Sequence, residues 1–226
     1  MLKPIARAKA LYAYAKLVQN PNDLDRVFDI ADTEGNEEVY EHNLRKLLVN
    51  EQASSAVDDR YRIGHVDLQL LSKLPEHTLG YAYAAFMNEN GLTPEAIPAE
   101  QAPPTRGRYQ VAHLRESHDI WHVLTGFGAD LPGEIGVQAF TAAQTGSPLS
   151  DALVSAILLN SAMNHDTAAA AALYDALSAG WQIGRASKPL FGARWGQMWE
   201  RSLDDIRAEF AIVPYERPRK PYRFAA

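Results

Sequence analysis

The sequence predicts an all-α protein, one domain built as a multi-helix bundle with a long proline-rich connector. Three observations lead there. Apolar residues recur at three- and four-residue intervals through most of the 226 residues, the spacing that gives a helix one apolar face. Residues that start and stop helices punctuate these runs. Convincing alternation of apolar and polar residues, the mark of a half-buried strand, is absent.

The first helix begins near Pro4 and carries Ile5, Ala8, Leu11, Tyr12, Ala15 and Val18 up to Asn20 and Pro21. Asn22 and Asp23 suit the cap of a short second helix with Leu24, Val27, Phe28 and Ala31. A third is expected over 37–52, with Tyr40, Leu44, Leu47 and Leu48 inward, and a fourth over 66–73, stopped by Pro75. Leu79, Tyr83, Phe86 and Met87 mark the next helical face, closed by Asn90 and Gly91. Residues 93–108 hold Pro94, Pro98, Pro103, Pro104 and Gly107 and read as the connector. It separates an N-terminal helical half (1–92) from a second half (109–212), with a basic tail at 213–226. About 92 residues make a marginal core alone, so both halves are expected to share one domain. Further on, 152–177 is alanine-rich, and alanine helices either approach closely or leave a slot between them. A last helix is expected from the stripe Trp195, Met198, Trp199, Leu203, Ile206 and Phe210.

Composition excludes several functions. With no cysteine there is no disulfide, thiolate zinc site or cysteine nucleophile, and a reducing compartment fits. Neither a signal segment nor a transmembrane span is visible. The net charge of −6 conceals an asymmetry. Lys3, Arg7, Lys9 and Lys16 stand in 1–19 without an acid, as do Arg217, Arg219, Lys220 and Arg223 in 217–226. Removing these eight leaves 14 basic against 28 acidic residues in the body. That argues against nucleic acid as a partner, while basic ends suit peripheral contact with an anionic membrane surface.

The chemistry concentrates in 115–134. Taking His118 as zero on a helix, His122 falls at about 40° and Asp119 at about 100°, so three metal-ligating residue types share one face. Residues at i and i+4 have Cβ atoms about 5–6 Å apart, which lets two imidazoles converge on one ion. Arg115, at about 60° on the same face, is placed to brace Asp119 or to bind an acidic substrate group. Glu116 points away. The run from Gly126 to Gly133 reverses the chain, with Asp130 and Pro132 suited to a helix start, so Glu134 faces back as a fourth ligand. Two nitrogens and two carboxylates suit one divalent ion, and zinc, manganese, iron(II) and magnesium all remain open. So does a hydrogen-bonded His–Asp cluster joining two helices without metal.

The pattern His118–Asp119–two residues–His122–eleven residues–Glu134 resembles the signature of the coenzyme Q biosynthesis protein 4 family. Its context is similar too: Arg115–Glu116–Ser117, Val123–Leu124–Thr125–Gly126, Gly133, then Gln144–Thr145–Gly146, Gly184–Arg185–Ala186 and Trp199–Glu200–Arg201–Ser202–Leu203. Upstream, Leu74–Pro75, Thr78–Leu79–Gly80–Tyr81 and Phe86–Met87 also match, so the likeness spans most of 60–212. The resemblance implies an all-helical fold, often dimeric, and a divalent ion at His118, Asp119, His122 and Glu134. It implies a role in ubiquinone biosynthesis alongside other quinone-biosynthesis proteins. That role is either a lipid-binding scaffold or an enzyme that oxidatively removes the C1 carboxylate of a polyprenylated hydroxybenzoate. The absence of an Arg- and Ser-rich transit segment points to a bacterial member, cytoplasmic and bound peripherally to the inner face of the membrane.

A polyprenyl tail needs an apolar groove, and the small-residue helix at 152–179 is the expected wall. A competing expectation is a His–Asp phosphohydrolase, for which His165 and Asp166 supply a second pair.

Overall fold

Helix-starting side chains set the frame. The computed structural model describes residues 4–32, 36–97, 99–164 and 167–218, and among these it holds eleven α-helices and no strand. They are α1 (Pro4–Gln19), α2 (Leu24–Ala31), α3 (Asn36–Leu47), α4 (Glu51–Asp58), α5 (Leu68–Leu71), α6 (Leu79–Glu89), α7 (Arg106–Thr125), α8 (Leu131–Thr145), α9 (Pro148–Asn164), α10 (Thr167–Ala186) and α11 (Leu203–Phe210). Asp23 caps α2, Thr78 caps α6 and Asp130 caps α8, each accepting from a backbone N–H of the first turn. Gly126 and Gly146, both in the left-handed region, end α7 and α8.

The elements depart from expectation where local polar groups interrupt an apolar run. The helix expected over 37–52 is two: α3 stops at Leu47 and Asn50 caps α4, its side chain accepting from Ala53 N. The segment 66–73 yields only the single turn α5, capped by Asp67. The connector is shorter than 93–108, because Thr105 caps α7 and accepts from Arg108 N. The alanine-rich stretch is the two helices α9 and α10; His165 and Asp166 lie outside the described residues.

The stripe from Trp195 to Phe210 is not one helix either. It is a 3-10 turn, Trp195–Gln197, and then α11, restarted by the Ser202 cap. Between them the chain bonds to the start of α6, Gly80 N donating to Trp199 O at 2.8 Å and Leu79 N to Arg201 O at 2.9 Å. Those tertiary bonds replace the helical ones. Trp195, Ile206 and Phe210 are nonetheless buried.

The core runs through α7. Leu79, Tyr83 and Met87 of α6, Ile120, Trp121 and Leu124 of α7, Ile135 and Phe140 of α8, and Leu173 of α10 form one cluster with Trp195, Ile206 and Phe210. A second joins Leu44, Ala53, Val57, Tyr109 and Phe191, and a third ties α1 to α9 through Leu17, Val18, Leu153 and Ala156. Helices α8 and α10 are pressed together at glycines: a Cβ on Gly180 would stand 2.0 Å from the Gly136 carbonyl oxygen. Gly180→Ala is therefore expected to lower stability by about 1–3 kcal/mol, read as a shifted denaturant midpoint at unchanged slope. No helix among the described residues is long and apolar enough to cross a membrane.

Candidate metal centre

The four expected ligands meet where α7 ends and α8 begins. His118 and His122, one turn apart on α7, bring their Nε2 atoms within 3.3 Å of each other. Glu134, in the first turn of α8, places Oε1 3.3 Å from His122 Nε2 and Oε2 3.6 Å from His118 Nε2. Asp119 belongs to the same group, one donor atom each from His118, Asp119 and His122 lying within 4.8 Å of one another. Donors bonded at about 2.0–2.1 Å in tetrahedral array stand roughly 3.3 Å apart. The spacings among His118, His122 and Glu134 fit an ion between them, with the Asp119 carboxylate standing further out, within 4.8 Å.

The chain between the helices sets this geometry. Gly126 turns the chain back at φ 77°, and the Phe127 carbonyl then accepts from His122 Nδ1–H at 3.1 Å. That bond puts a proton on Nδ1 and turns Nε2 towards Glu134. A Cβ on Gly133 would fall 1.7 Å from the Gly128 carbonyl oxygen. Only glycine therefore lets α8 start this close to the turn, with Glu134 next in sequence. Phe86 of α6 stacks on His122, ring centroids 5.4 Å apart.

Charge is coupled across the cluster. Burial works against a charged His118, but the Glu134 carboxylate outweighs it, with Asp119 adding, and raises the imidazole to about 9. Burial likewise works against the Glu134 carboxylate, yet His118 and His122 hold it well below the usual range. Below about pH 9 an incoming ion must expel the His118 proton, so apparent affinity is expected to fall about tenfold per pH unit on acidification. Calorimetric titration in buffers of different ionisation enthalpy reads that proton. Without metal the sign reverses: a raised pKa stabilises below the unfolded value of 6.5 and loses its effect as pH rises through about 9. The metal-free chain should accordingly melt lower at pH 9 than at pH 6.5.

The cluster opens on a cavity of about 340 Å³, whose wall includes His118, Asp119 and Glu134. The rest of the wall is largely apolar: Val27 and Phe28 of α2, Val111 and Leu114 of α7, Leu153 and Ile157 of α9. A concave, largely apolar space with a few convergent polar groups is the usual form of a small-molecule site.

Of the expected wall at 152–179, Leu153 and Ile157 of α9 line the cavity among the described residues, while Gly180 and Gly184 of α10 pack closely against α8. Arg115 lines the cavity but does not brace Asp119. Its guanidinium lies 3.3 Å from both Asp32 oxygens and over the Phe28 ring. Glu116 points away, as expected, into a partly buried pair with Arg62 at 2.8 Å. Sequence reasoning missed the Phe127 carbonyl, a backbone group without a residue signature. It missed α2 and α3 as walls as well. The apolar face of α2 was legible, but its partner was not.

Three comparisons with known proteins place the chain among its relatives. The family model described as coenzyme Q (ubiquinone) biosynthesis protein Coq4 matches residues 6–216. Among curated relatives, the mitochondrial ubiquinone biosynthesis protein COQ4 homologue of Anopheles gambiae is 28% identical over 85% of this chain and 68% of its own. The Danio rerio homologue is 30% identical over 86% of this chain and 72% of its own. Among solved structures, a chain from Nostoc punctiforme PCC 73102 assigned to ubiquinone biosynthesis superposes with a TM-score of 0.78 at 28% identity. That match covers 90% of this chain and 97% of the Nostoc chain.

Proposed function

The chain belongs to the coenzyme Q (ubiquinone) biosynthesis protein Coq4 family, and from that premise we propose that it binds a divalent ion and acts on a polyprenylated hydroxybenzoate held in the cavity. The observation that carries this reading is the placement of His118, Asp119 and Glu134 on the wall of one largely apolar cavity. Glu134 stands 3.3–3.6 Å from the two histidines. The reaction is oxidative decarboxylation at C1. The bond from the ring to its carboxyl carbon breaks, a hydroxyl whose oxygen comes from water or dioxygen takes its place, carbon dioxide and protons leave, and two electrons pass to dioxygen or another oxidant. A redox-active ion bound at this donor set would supply the route for those electrons, whereas zinc would polarise only.

The residues have separable tasks. His118, Asp119, His122 and Glu134 hold the ion, and Phe127 and Phe86 hold His122. Val27, Phe28, Leu114 and Ile157 take the isoprenoid tail and exclude water. Arg115, on the cavity wall, is a candidate contact for the substrate. On α1 the exposed Ile5, Leu11 and Tyr12 stand beside the exposed Arg7, Lys9 and Lys16 with no acid in the helix. That mixture supports peripheral contact with an anionic membrane, where the lipid resides. Exposed Tyr174 and Trp181 on α10 support a protein interface, with a second copy in a homodimer or with other quinone-biosynthesis proteins.

The test is a prenylated hydroxybenzoate labelled at the carboxyl carbon, given to metal-loaded protein and to Glu134→Ala. Label should leave as carbon dioxide only with the unaltered chain. Turnover indifferent to that change would overturn metal catalysis. Lipid retained without turnover would leave the scaffold role.

A further inference from the structure

Two turns of α7 before His118, the wall of the same cavity becomes polar again, this time without charge. Gln110 of α7 and Asn43 of α3 both line it, and they are 1% and 4% exposed. Neither amide is fully paired: Asn43 Nδ2 and Gln110 Oε1 find no hydrogen-bond partner among the described residues. The two helices lie side by side here, Gly107 N donating to Glu41 Oε1 at 2.7 Å. Neighbouring hydroxyls are already committed. Thr141 donates to the Val137 carbonyl at 2.8 Å, and Ser150 donates to Gln138 Oε1 at 2.8 Å.

A buried amide atom without a partner is costly, so two of them on one cavity wall mark a place built for an occupant. What they lack defines it. Asn43 offers a donor and Gln110 an acceptor, and a hydroxyl, which accepts from the first and donates to the second, completes both as a water would. A carbonyl would satisfy Asn43 alone, an ammonium Gln110 alone, and a carboxylate would face the Gln110 oxygen unpaired.

We propose that Asn43 and Gln110 form a hydroxyl-recognition subsite, distinct from the metal centre, that holds the ring hydroxyl of the aromatic acid while its carboxylate faces His118. This rests on the cavity being the place of a prenylated hydroxybenzoate. Gln110 and His118 are eight residues apart, roughly 12 Å along the helix axis, a span that one substituted ring and two inward side chains can bridge. The subsite therefore fixes which end of the ring meets the ion.

The experiment compares two probes on the purified full-length chain: a prenylated 4-hydroxybenzoate and the same molecule without its ring hydroxyl. The unaltered protein should prefer the first by on the order of 100-fold, because the second leaves both amides unpaired. Asn43→Leu and Gln110→Met should each collapse that preference towards unity, with the loss falling on the hydroxylated probe. The ratio is read within one protein, so a partly misfolded variant still reports it. Equal binding of both probes by the unaltered chain would overturn the subsite, leaving the amides to water, and spare the reading of the cavity. Variants that keep the full preference would overturn it too. Failure of both probes to bind would overturn the cavity reading together with the subsite.

Discussion

Glu134→Ala is expected to weaken divalent-ion binding by on the order of 100-fold or more, about 2.7 kcal/mol, while the fold stays intact. Glu134 is the one member of the cluster contributed by a second helix, and its two oxygens face both histidines at 3.3 and 3.6 Å. Without it, His118, Asp119 and His122 all project from α7, and the side of the ion towards α8 is left to water. The fold should tolerate the change, because the start of α8 is held by the Asp130 cap and the Gly133 contact rather than by Glu134. The same substitution removes the charge that raises His118, so its imidazole should titrate well below 9. Competition titration against a chelator reads the first effect and histidine NMR the second. Unchanged affinity would remove Glu134 from the ligand set.

The second large effect is expected from filling the cavity. Val111 is 8% exposed on α7 and lines the cavity between the metal end and Gln110. Val111→Trp puts an indole into a space of about 340 Å³. Retention of a prenylated aromatic should fall at least about tenfold, since a ligand of this kind binds through the surface it buries in a preformed pocket. Overpacking should cost about 1–3 kcal/mol of stability, and affinity for the ion should stay close to that of the unaltered chain. Mass spectrometry of co-purified lipid, beside metal content, separates the two. Undiminished lipid retention would place the lipid elsewhere.

The metal face was legible because it depends on one local rule: His118, Asp119 and His122 sit together on any helix. Glu134 was legible through the turn, since Asp130, Pro132 and Gly133 mark a helix start at a fixed distance. The cavity was not. Its wall is made by α2, α3 and α9 meeting α7, and nothing in Val27, Phe28 or Leu153 names the helix each will face. Alanine content pointed to 152–179, of which α9 supplies Leu153 and Ile157 to the cavity, while on α10 Gly180 against Gly136 serves close approach. Asn43 and Gln110 stayed hidden for the same reason: each reads as an ordinary polar residue until packing removes its partners. The stripe ending at Phe210 kept its burial while losing its helix, because periodicity reports which side chains face inward and not what the backbone bonds to.

The central claim is that His118, Asp119, His122 and Glu134 hold an ion. Elemental analysis of gently purified protein tests it most directly, with anomalous diffraction at the metal edge to place the ion. Near one divalent ion per chain, with anomalous density between His118 Nε2, His122 Nε2 and Glu134 and loss of both in Glu134→Ala, is the predicted result. A folded, lipid-retaining chain with no stoichiometric metal, and no gain when metal is added, would contradict it and leave the four residues as a hydrogen-bonded joint between α7 and α8.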